Sequence, residues 1–138
     1  MTAKPLILII DNNPGDHLLC QTAFAEGNLV VDVQTAMDGQ AGITALQHMM
    51  DGTAPMCSLV ILDLNMPRID GRRVLTWARG HRQLAALPII ILTSSEVPRD
   101  RDECFAAGDT AFLVKPGTFD GYLDLMPTIV SRIDATRT

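Results

Sequence analysis

The sequence predicts an α/β protein in which helices cover both faces of a parallel sheet. Five short apolar runs recur along the chain, and a segment of helical length separates each run from the next. Strands that alternate with helices form right-handed βαβ crossovers, which place the strands parallel to one another. The predicted strands are Leu6–Ile10, Leu29–Val33, Leu59–Leu62, Ile89–Leu92 and Ala111–Val114.

The composition of each run predicts its place in the sheet. The first, third and fourth runs are continuously hydrophobic, as expected of central strands that are buried on both faces. In the second run Val31 and Val33 alternate with Asp32 and Gln34, which predicts a strand at an edge. A (βα)5 doubly wound sheet with the order 2-1-3-4-5, one of the common orders of such sheets, has strands one, three and four at its centre and is the fold that we predict.

Five helices fill the intervals between and after the strands. Helix one begins at Pro14 and Gly15, helix two follows Asp38-Gly39, helix three runs from about Arg72 and stops before Pro88, helix four follows Pro98, and helix five begins at the cap Thr118. Apolar residues at helical spacing predict the buried faces: Leu18, Leu19, Phe24 and Ala25; Ala41, Ala45, Leu46 and Met49; Val74, Leu75 and Ala78; and Tyr122, Leu125, Met126, Ile129, Val130 and Ile133. The charged run 99–103 of helix four predicts a solvated face.

Pro127 conflicts with one continuous fifth helix. Inside a helix, proline removes a hydrogen bond and clashes with the preceding turn, at a cost of about 3 kcal/mol. We expect either a kink or a helix that restarts near Asp124, which would place Pro127 in a tolerant first turn.

Length, composition and charge restrict the class of protein. The 138 residues are expected to form one domain, with 47% hydrophobic and 20% charged residues. No apolar run approaches the roughly 18 residues that span a bilayer, and the amino-terminal run is too short for a signal peptide, so we expect a cytoplasmic protein. The net charge of −5 argues against a nucleic-acid partner. Cys20, Cys57 and Cys104 share no metal-ligand spacing and are expected to be buried thiols.

Polar residues follow the ends of four predicted strands. Asp11 follows the first, Asp63 the third, Thr93 the fourth and Lys115 the fifth. Each has an ordinary explanation as a turn cap, a helix cap or a surface charge. In the predicted strand order, however, all four lie at the same edge of the sheet, where open parallel sheets bind their ligands. The four together predict a functional site.

These residues resemble the receiver domain of a two-component response regulator over nearly the whole chain. The match consists of Asp63 within the segment 62–71, Asp11 followed by the segment 13–16, Thr93 after an Ile-Ile-Ile-Leu run, Lys115-Pro116 after Phe-Leu-Val, and Phe112 at the aromatic switch position. The resemblance implies a flavodoxin-like fold. It also implies a signalling protein rather than an enzyme, with one receiver domain over residues 1–138 and no output domain.

The resemblance implies a phosphoacceptor chemistry. A histidine kinase or a phosphotransfer protein would pass a phosphoryl group to Asp63, with Mg²⁺ held by Asp11, Asp63 and the backbone carbonyl of Asn65. Lys115, Thr93 and the backbone of Ser94 would contact the phosphoryl oxygens. Thr93 would then move inward and Phe112 would turn, which would reshape the face formed by helix four, strand five and helix five. That face would contact a downstream protein target or a second copy of the chain.

One position departs from the family pattern. The family usually has two acidic residues before Asn-Pro, and the second is a direct metal ligand, but here that position is Asn12. An amide oxygen can coordinate Mg²⁺ but brings no charge, so Asn12 is a candidate ligand of a site with weakened metal affinity.

Three other interpretations of the chain are open. The first is a pseudo-receiver, a constitutive binding module in which Asn12 marks decayed metal chemistry. The second is a small flavin or nucleotide enzyme, which lacks support because no glycine-rich phosphate loop follows strand one. A haloacid-type phosphatase would need an Asp at position 65, where this chain has Asn. Within the receivers, the Leu-Thr-Ser-Ser and Phe-Asp-Gly-Tyr segments are similar to the small receivers paired with phytochrome-type kinases.

Overall fold

The computed structural model describes residues 4–136, which form one five-stranded sheet with helices on both faces. The strands are β1 Leu6–Ile10, β2 Asp32–Ala36, β3 Leu59–Leu62, β4 Ile89–Thr93 and β5 Ala111–Val114. The helices are α1 Pro14–Glu26, α2 Gly39–Met50, α3 Gly71–Arg79, α4 Pro98–Ala107, α5 Phe119–Asp124 and α6 Met126–Thr136, with a 3₁₀ turn at Arg82–Leu84.

The strand order is β2-β1-β3-β4-β5 with every pair parallel, which confirms the predicted fold class. Successive residues of β1 point to opposite faces, so the core divides into two apolar layers. Leu8 and Ile10 lie in the layer shared with α2 and α3, and Ile7 and Ile9 lie in the layer shared with α1, α5 and α6. The central strands are therefore buried on both faces, as their composition predicts.

β2 is an edge strand as predicted, but its predicted bounds are wrong by three residues. Pairing with β1 begins at Asp32, whose amide donates to the carbonyl of Pro5 at 2.9 Å. The amide of Leu29 instead donates to the carbonyl of Phe24 at 2.9 Å and closes the end of α1. The apolar run therefore begins in the connection, and its hydrophobicity reflects packing on the α1 layer rather than strand pairing.

α1 buries a different face from the predicted one, whereas α2 buries the predicted Ala45, Leu46 and Met49 but not Ala41. Leu18 is 67% exposed, whereas His17 is buried with the rest of the inner face of α1. Ala41 is exposed, and Gly42 is buried in its place. A Cβ on Gly42 would lie 2.5 Å from Cδ1 of Ile10, so only glycine lets α2 approach the sheet this closely. Helix phase, rather than residue hydrophobicity alone, decides which residues face inward.

The fifth helix is interrupted, as Pro127 predicts. α5 ends at Asp124 and α6 begins at Met126, with Leu125 between them. Pro127 is the second residue of α6, where a missing amide hydrogen costs little. The predicted cap is also present, since the Thr118 hydroxyl accepts from the amide of Gly121 at 3.1 Å.

Candidate functional site

Three predicted strand-end residues meet at one point. Asp11 directly follows β1, Asp63 follows β3 and Lys115 follows β5. The Lys115 ammonium Nζ lies 2.9 Å from Oδ2 of Asp11 and 3.3 Å from Oδ2 of Asp63. The carboxyl ends of parallel strands thus bring together residues 52 positions apart in the chain.

Asp63 has one oxygen without a hydrogen-bond partner. Its side chain is buried, its Oδ2 contacts Lys115, and its Oδ1 is paired with no group in the described part of the chain. Its amide donates to the carbonyl of Ile10 at 2.9 Å, which fixes the backbone at the end of β3. Asp63 lines a cavity of about 420 Å³. A buried carboxylate oxygen without a partner is costly unless a ligand uses it.

Asp16 belongs to the segment 13–16 that carries the resemblance, but no contact was predicted for it. It lies in the first turn of α1, and its Oδ2 is 2.5 Å from Nζ of Lys115. The Tyr122 hydroxyl approaches Oδ1 of Asp16 at 3.5 Å. Asp16 follows Asp11 by five residues, and this spacing could have indicated that the two carboxylates lie close together. The first turn of a helix that follows a strand lies next to the end of that strand.

The charges of the cluster shift the pKa values of its members. Burial lowers the pKa of Lys115, but the carboxylates of Asp16 and Asp11 outweigh it and raise the pKa overall. Burial raises the pKa of Asp11 although Lys115 opposes the change. Burial, with Asp16 nearby, raises the pKa of Tyr122 to about 12. Lys115 is therefore charged and Tyr122 is a neutral donor at physiological pH.

Thr93 is fully buried as the last residue of β4. Its hydroxyl oxygen accepts from the amide of Ser95 at 3.4 Å, and its carbonyl accepts from the amide of Lys115 at 2.7 Å. Ser94 lines the same cavity as Asp63. The Ser95 hydroxyl donates to Oδ2 of Asp100 at 2.5 Å, which ties the loop after β4 to α4.

The loop after β4 is also tied to α3 through Arg72. This guanidinium lies 2.7 Å from Asp100 and 3.3 Å from Glu103. The prediction that the charged run of α4 is only a solvated face is therefore wrong for these two residues, which bind an arginine of the neighbouring helix.

Phe112 is half-buried on β5 and packs against the apolar layer of α2 and α3. The guanidinium carbon of Arg101 lies 5.0 Å from the centroid of its ring, at cation–π distance. The ring therefore lies between the core and the charged surface of α4.

His17 supports the site from α1. It is only 5% exposed, and its Nε2 lies 2.7 Å from the carbonyl oxygen of Asp11. A carbonyl only accepts, so Nε2 carries a hydrogen. His17 thus holds the backbone of the site residue Asp11. The prediction of buried thiols is confirmed, because Cys20, Cys57 and Cys104 are free and buried.

The residues at the cavity fit a hard divalent cation. Asp63 contributes an oxygen without a partner, Asp11 lies behind it, and Asn12 and Asn65 line the cavity. Within residues 4–136, no group of three or more His, Cys, Asp or Glu side chains is arranged to hold a metal. The oxygen atoms at the cavity suit Mg²⁺, which binds few protein oxygens and keeps several waters.

Within residues 4–136, no helix is long and apolar enough to cross a membrane.

Comparison with known proteins gives a consistent answer. The family model described as the response regulator receiver domain matches residues 7–125. The response regulator Rre1 of Synechocystis is 30% identical over 135 residues, covering 97% of this chain and 55% of its own length, so the chain spans about half of that relative.

Two solved structures are also similar. The phosphorylated cyanobacterial phytochrome response regulator RcpA superposes with a TM-score of 0.86 at 24% identity, covering 99% of this chain and 98% of its own. The Mn²⁺-bound form of response regulator Rcp1 superposes with a TM-score of 0.80 at 25% identity, covering 88% and 91%. The parallel sheet, the acidic cluster around Lys115 and the match over residues 7–125 lead to one conclusion. The chain belongs to the response regulator receiver family and is a phosphoacceptor domain of two-component signalling.

Proposed function

We propose that this chain is a receiver that takes a phosphoryl group onto Asp63 from a histidine kinase or a phosphotransfer protein. The observation that carries the proposal is the free Oδ1 of Asp63, buried at a cavity beside the ammonium of Lys115. A donor of the phytochrome kinase type is supported by the bacteriophytochrome response regulator AtBRR, a solved structure 29% identical to this chain.

The transfer breaks one bond and forms one. An oxygen of Asp63 attacks the phosphorus of a phosphohistidine, the P–N bond breaks, and the imidazole nitrogen leaves with the electron pair and takes up a proton from water. Asp11 and Asp63, with the Asn65 carbonyl and Asn12 as further ligands, would hold Mg²⁺, which would supply charge neutralisation and alignment. Lys115 neutralises a second oxygen, and the Thr93 hydroxyl and the Ser94 amide donate to a third.

The same contacts explain a signal. When the Thr93 hydroxyl turns to the phosphoryl group, it leaves the amide of Ser95, and the loop before α4 loses a hydrogen bond. Phe112 then moves into the space that Thr93 vacates, away from Arg101. The face formed by α4, β5 and α5 changes, and a protein target or a second copy of the chain reads the change. We place this function in the cytoplasm, with no nucleic-acid partner.

Intact-mass analysis tests the proposal. Incubation with acetyl phosphate or phosphoramidate and Mg²⁺ is expected to add about 80 Da, one phosphoryl group. Asp63→Ala removes the gain, whereas the control Asp102→Asn, at an exposed carboxylate of α4, keeps it. A gain that survives Asp63→Ala contradicts phosphorylation at this residue.

The alternative function is a pseudo-receiver, and the observation that favours it is Asn12 at the cavity. A protein of this kind would gain no mass with either phosphodonor at any Mg²⁺ concentration. A gain that Asn12→Asp introduces into an inert wild-type chain would establish that alternative and identify its cause.

A further inference from the structure

The Lys115 ammonium contacts three carboxylates at unequal distances. Asp16 is nearest at 2.5 Å, Asp11 follows at 2.9 Å and Asp63 is farthest at 3.3 Å. The nucleophile therefore has the longest contact with the lysine, and its second oxygen is free. Asp16 makes the shortest contact with the Lys115 ammonium, although the proposed phosphoryl transfer assigns Asp16 no role.

The charges of the cluster suit a divalent cation only when Asp16 is included. Three carboxylates and one ammonium leave two net negative charges at the cavity. Without Asp16 the same cluster would carry one, and the ammonium would bind only to Asp11 and Asp63. Lys115 would then compete with the cation for both of its carboxylate ligands.

Asp16 is itself held in place. Its side chain is 19% exposed, and Tyr122, which is 2% exposed, approaches its other oxygen at 3.5 Å. The Asp16 carboxylate is thus carried by α1 and contacted by Tyr122 of α5. It therefore faces the lysine with less mobility than an exposed acidic side chain.

We propose that Asp16 is a positioning residue that draws Lys115 away from Asp63 and restores to the site the negative charge that Asn12 does not provide. The proposal rests on the proposed function for its biological use, but the effect on cation binding does not require phosphorylation. On this proposal, the charge that position 12 lacks is supplied by Asp16 in the first turn of α1 and acts through the lysine.

The test is the affinity of the full chain for Mn²⁺ alone, measured by electron paramagnetic resonance of the free ion without a phosphodonor. Asp16→Asn is expected to weaken binding about tenfold, the effect of one lost charge near a divalent ion in a partly solvated site. Asp16→Glu, which keeps the charge, is expected to retain most of the affinity. Asp102→Asn is the matched control for loss of a carboxylate elsewhere.

A double variant separates charge from packing. Asn12→Asp in the Asp16→Asn background returns a carboxylate to the cavity, and we expect it to recover the lost affinity. Unchanged affinity in Asp16→Asn overturns the proposal, and so does a loss that Asn12→Asp fails to restore, since that loss would come from packing. If Asp16→Asn does not fold, as a thermal melt would show, Asp16→Glu against Asp16→Gln makes the same comparison.

Phosphorylation of wild-type protein, measured separately, distinguishes the two ideas. Absence of a mass gain with an intact Asp16 effect on Mn²⁺ rejects the proposed function and keeps this inference. A mass gain without an effect of Asp16→Asn on Mn²⁺ binding keeps the proposed function and rejects this inference.

Discussion

Gly71 lies directly against the backbone carbonyl of Asp63. A Cβ on Gly71 would lie 2.1 Å from the Asp63 oxygen and 2.8 Å from Cα of Leu64, and its amide donates to the carbonyl of Leu64 at 2.9 Å. The loop after β3 therefore folds back on itself, and the first residue of α3 sets the position of the Asp63 backbone.

Gly71→Ala is accordingly expected to destabilise the protein and displace Asp63. Overpacking against backbone that cannot move aside costs about 1–3 kcal/mol, so the free energy of unfolding should fall by that amount. Urea denaturation measures it, and the rate of phosphorylation by acetyl phosphate should fall as well. Gly117→Ala is the control, because its Cβ would meet nothing within 4 Å. Equal stability of the two variants would show that the loop is free to shift.

The fold could be predicted because strand composition and strand order depend on local pattern and on chirality. β1, β3 and β5 begin and end where the apolar runs do, since each run is bounded by turn residues. β2 could not be placed correctly, because Leu29 and Val31 belong to the same apolar layer whether or not they pair with β1. In the sequence, residues that only pack on the core and residues that also pair in a strand show the same apolar pattern.

The Ser95–Asp100–Arg72 cluster predicts a pH dependence of stability. The hydrogen bond from Ser95 and the charge of Arg72 lower the pKa of Asp100 below its ordinary value of 3.8. Because the pKa of Asp100 is lowered, the folded state binds fewer protons than the unfolded state. The contacts of Asp100 therefore stabilise the folded protein above the ordinary pKa of an aspartate, and this stabilisation is lost as pH falls through the lowered pKa.

Ser95→Ala should therefore lower the urea midpoint at pH 7, and the difference from wild type should shrink below about pH 4. Ser131→Ala, at an exposed hydroxyl of α6, serves as control and should show no such dependence. A difference that stays constant from pH 7 to pH 3 would mean that Ser95 does not act through Asp100.

The three cysteines are expected to be unreactive in the folded protein. Burial raises the pKa of Cys20 and Cys57 to about 12 and that of Cys104 to about 11, so little thiolate forms near neutral pH. Titration with a chromogenic disulfide at pH 8 should detect no thiol before unfolding and all three after it. Rapid modification of the native protein would contradict the packing of these side chains.

The metal affinity of the site has a direct test at Asn12. Asn12→Asp adds a carboxylate at the cavity and is expected to tighten Mg²⁺ binding, by up to about tenfold for one added charge. Tyr122 fluorescence can report the change, because the Tyr122 hydroxyl lies beside Asp16, whereas Trp77 of α3 packs against His81. Unchanged affinity would show that Asn12 does not weaken the site.

The strand-end residues of the cluster were predicted to lie together, whereas the contacts of its helical residues were not predicted. Asp11, Asp63, Thr93 and Lys115 each follow or end a strand, so topology alone brings them together. Asp16 and His17 join them from α1, and their contacts depend on the phase of that helix, which the apolar residues of α1 predict wrongly through Leu18. The contacts of side chains that depend on helix phase can be assigned only from the structure.

The break between α5 and α6 predicts an effect on assembly. We propose that a homodimer forms through the α4–β5–α5 face, and the break at Leu125 sets the direction in which α5 presents that face. In Pro127→Ala, the new amide hydrogen can donate four residues back to the carbonyl of Leu123 and join the two helices. Stability should change by less than about 1 kcal/mol, because Pro127 occupies a first turn.

The molar mass of Pro127→Ala, measured by light scattering over a range of concentrations, is therefore expected to differ from that of the wild type. Pro55→Ala, at an exposed proline of the connection between α2 and β3, should leave the mass unchanged. Circular dichroism should show whether helix content rises in Pro127→Ala. An identical mass with increased helix content would separate the helix break from assembly, because the helices would then have joined without any effect on the face that pairs.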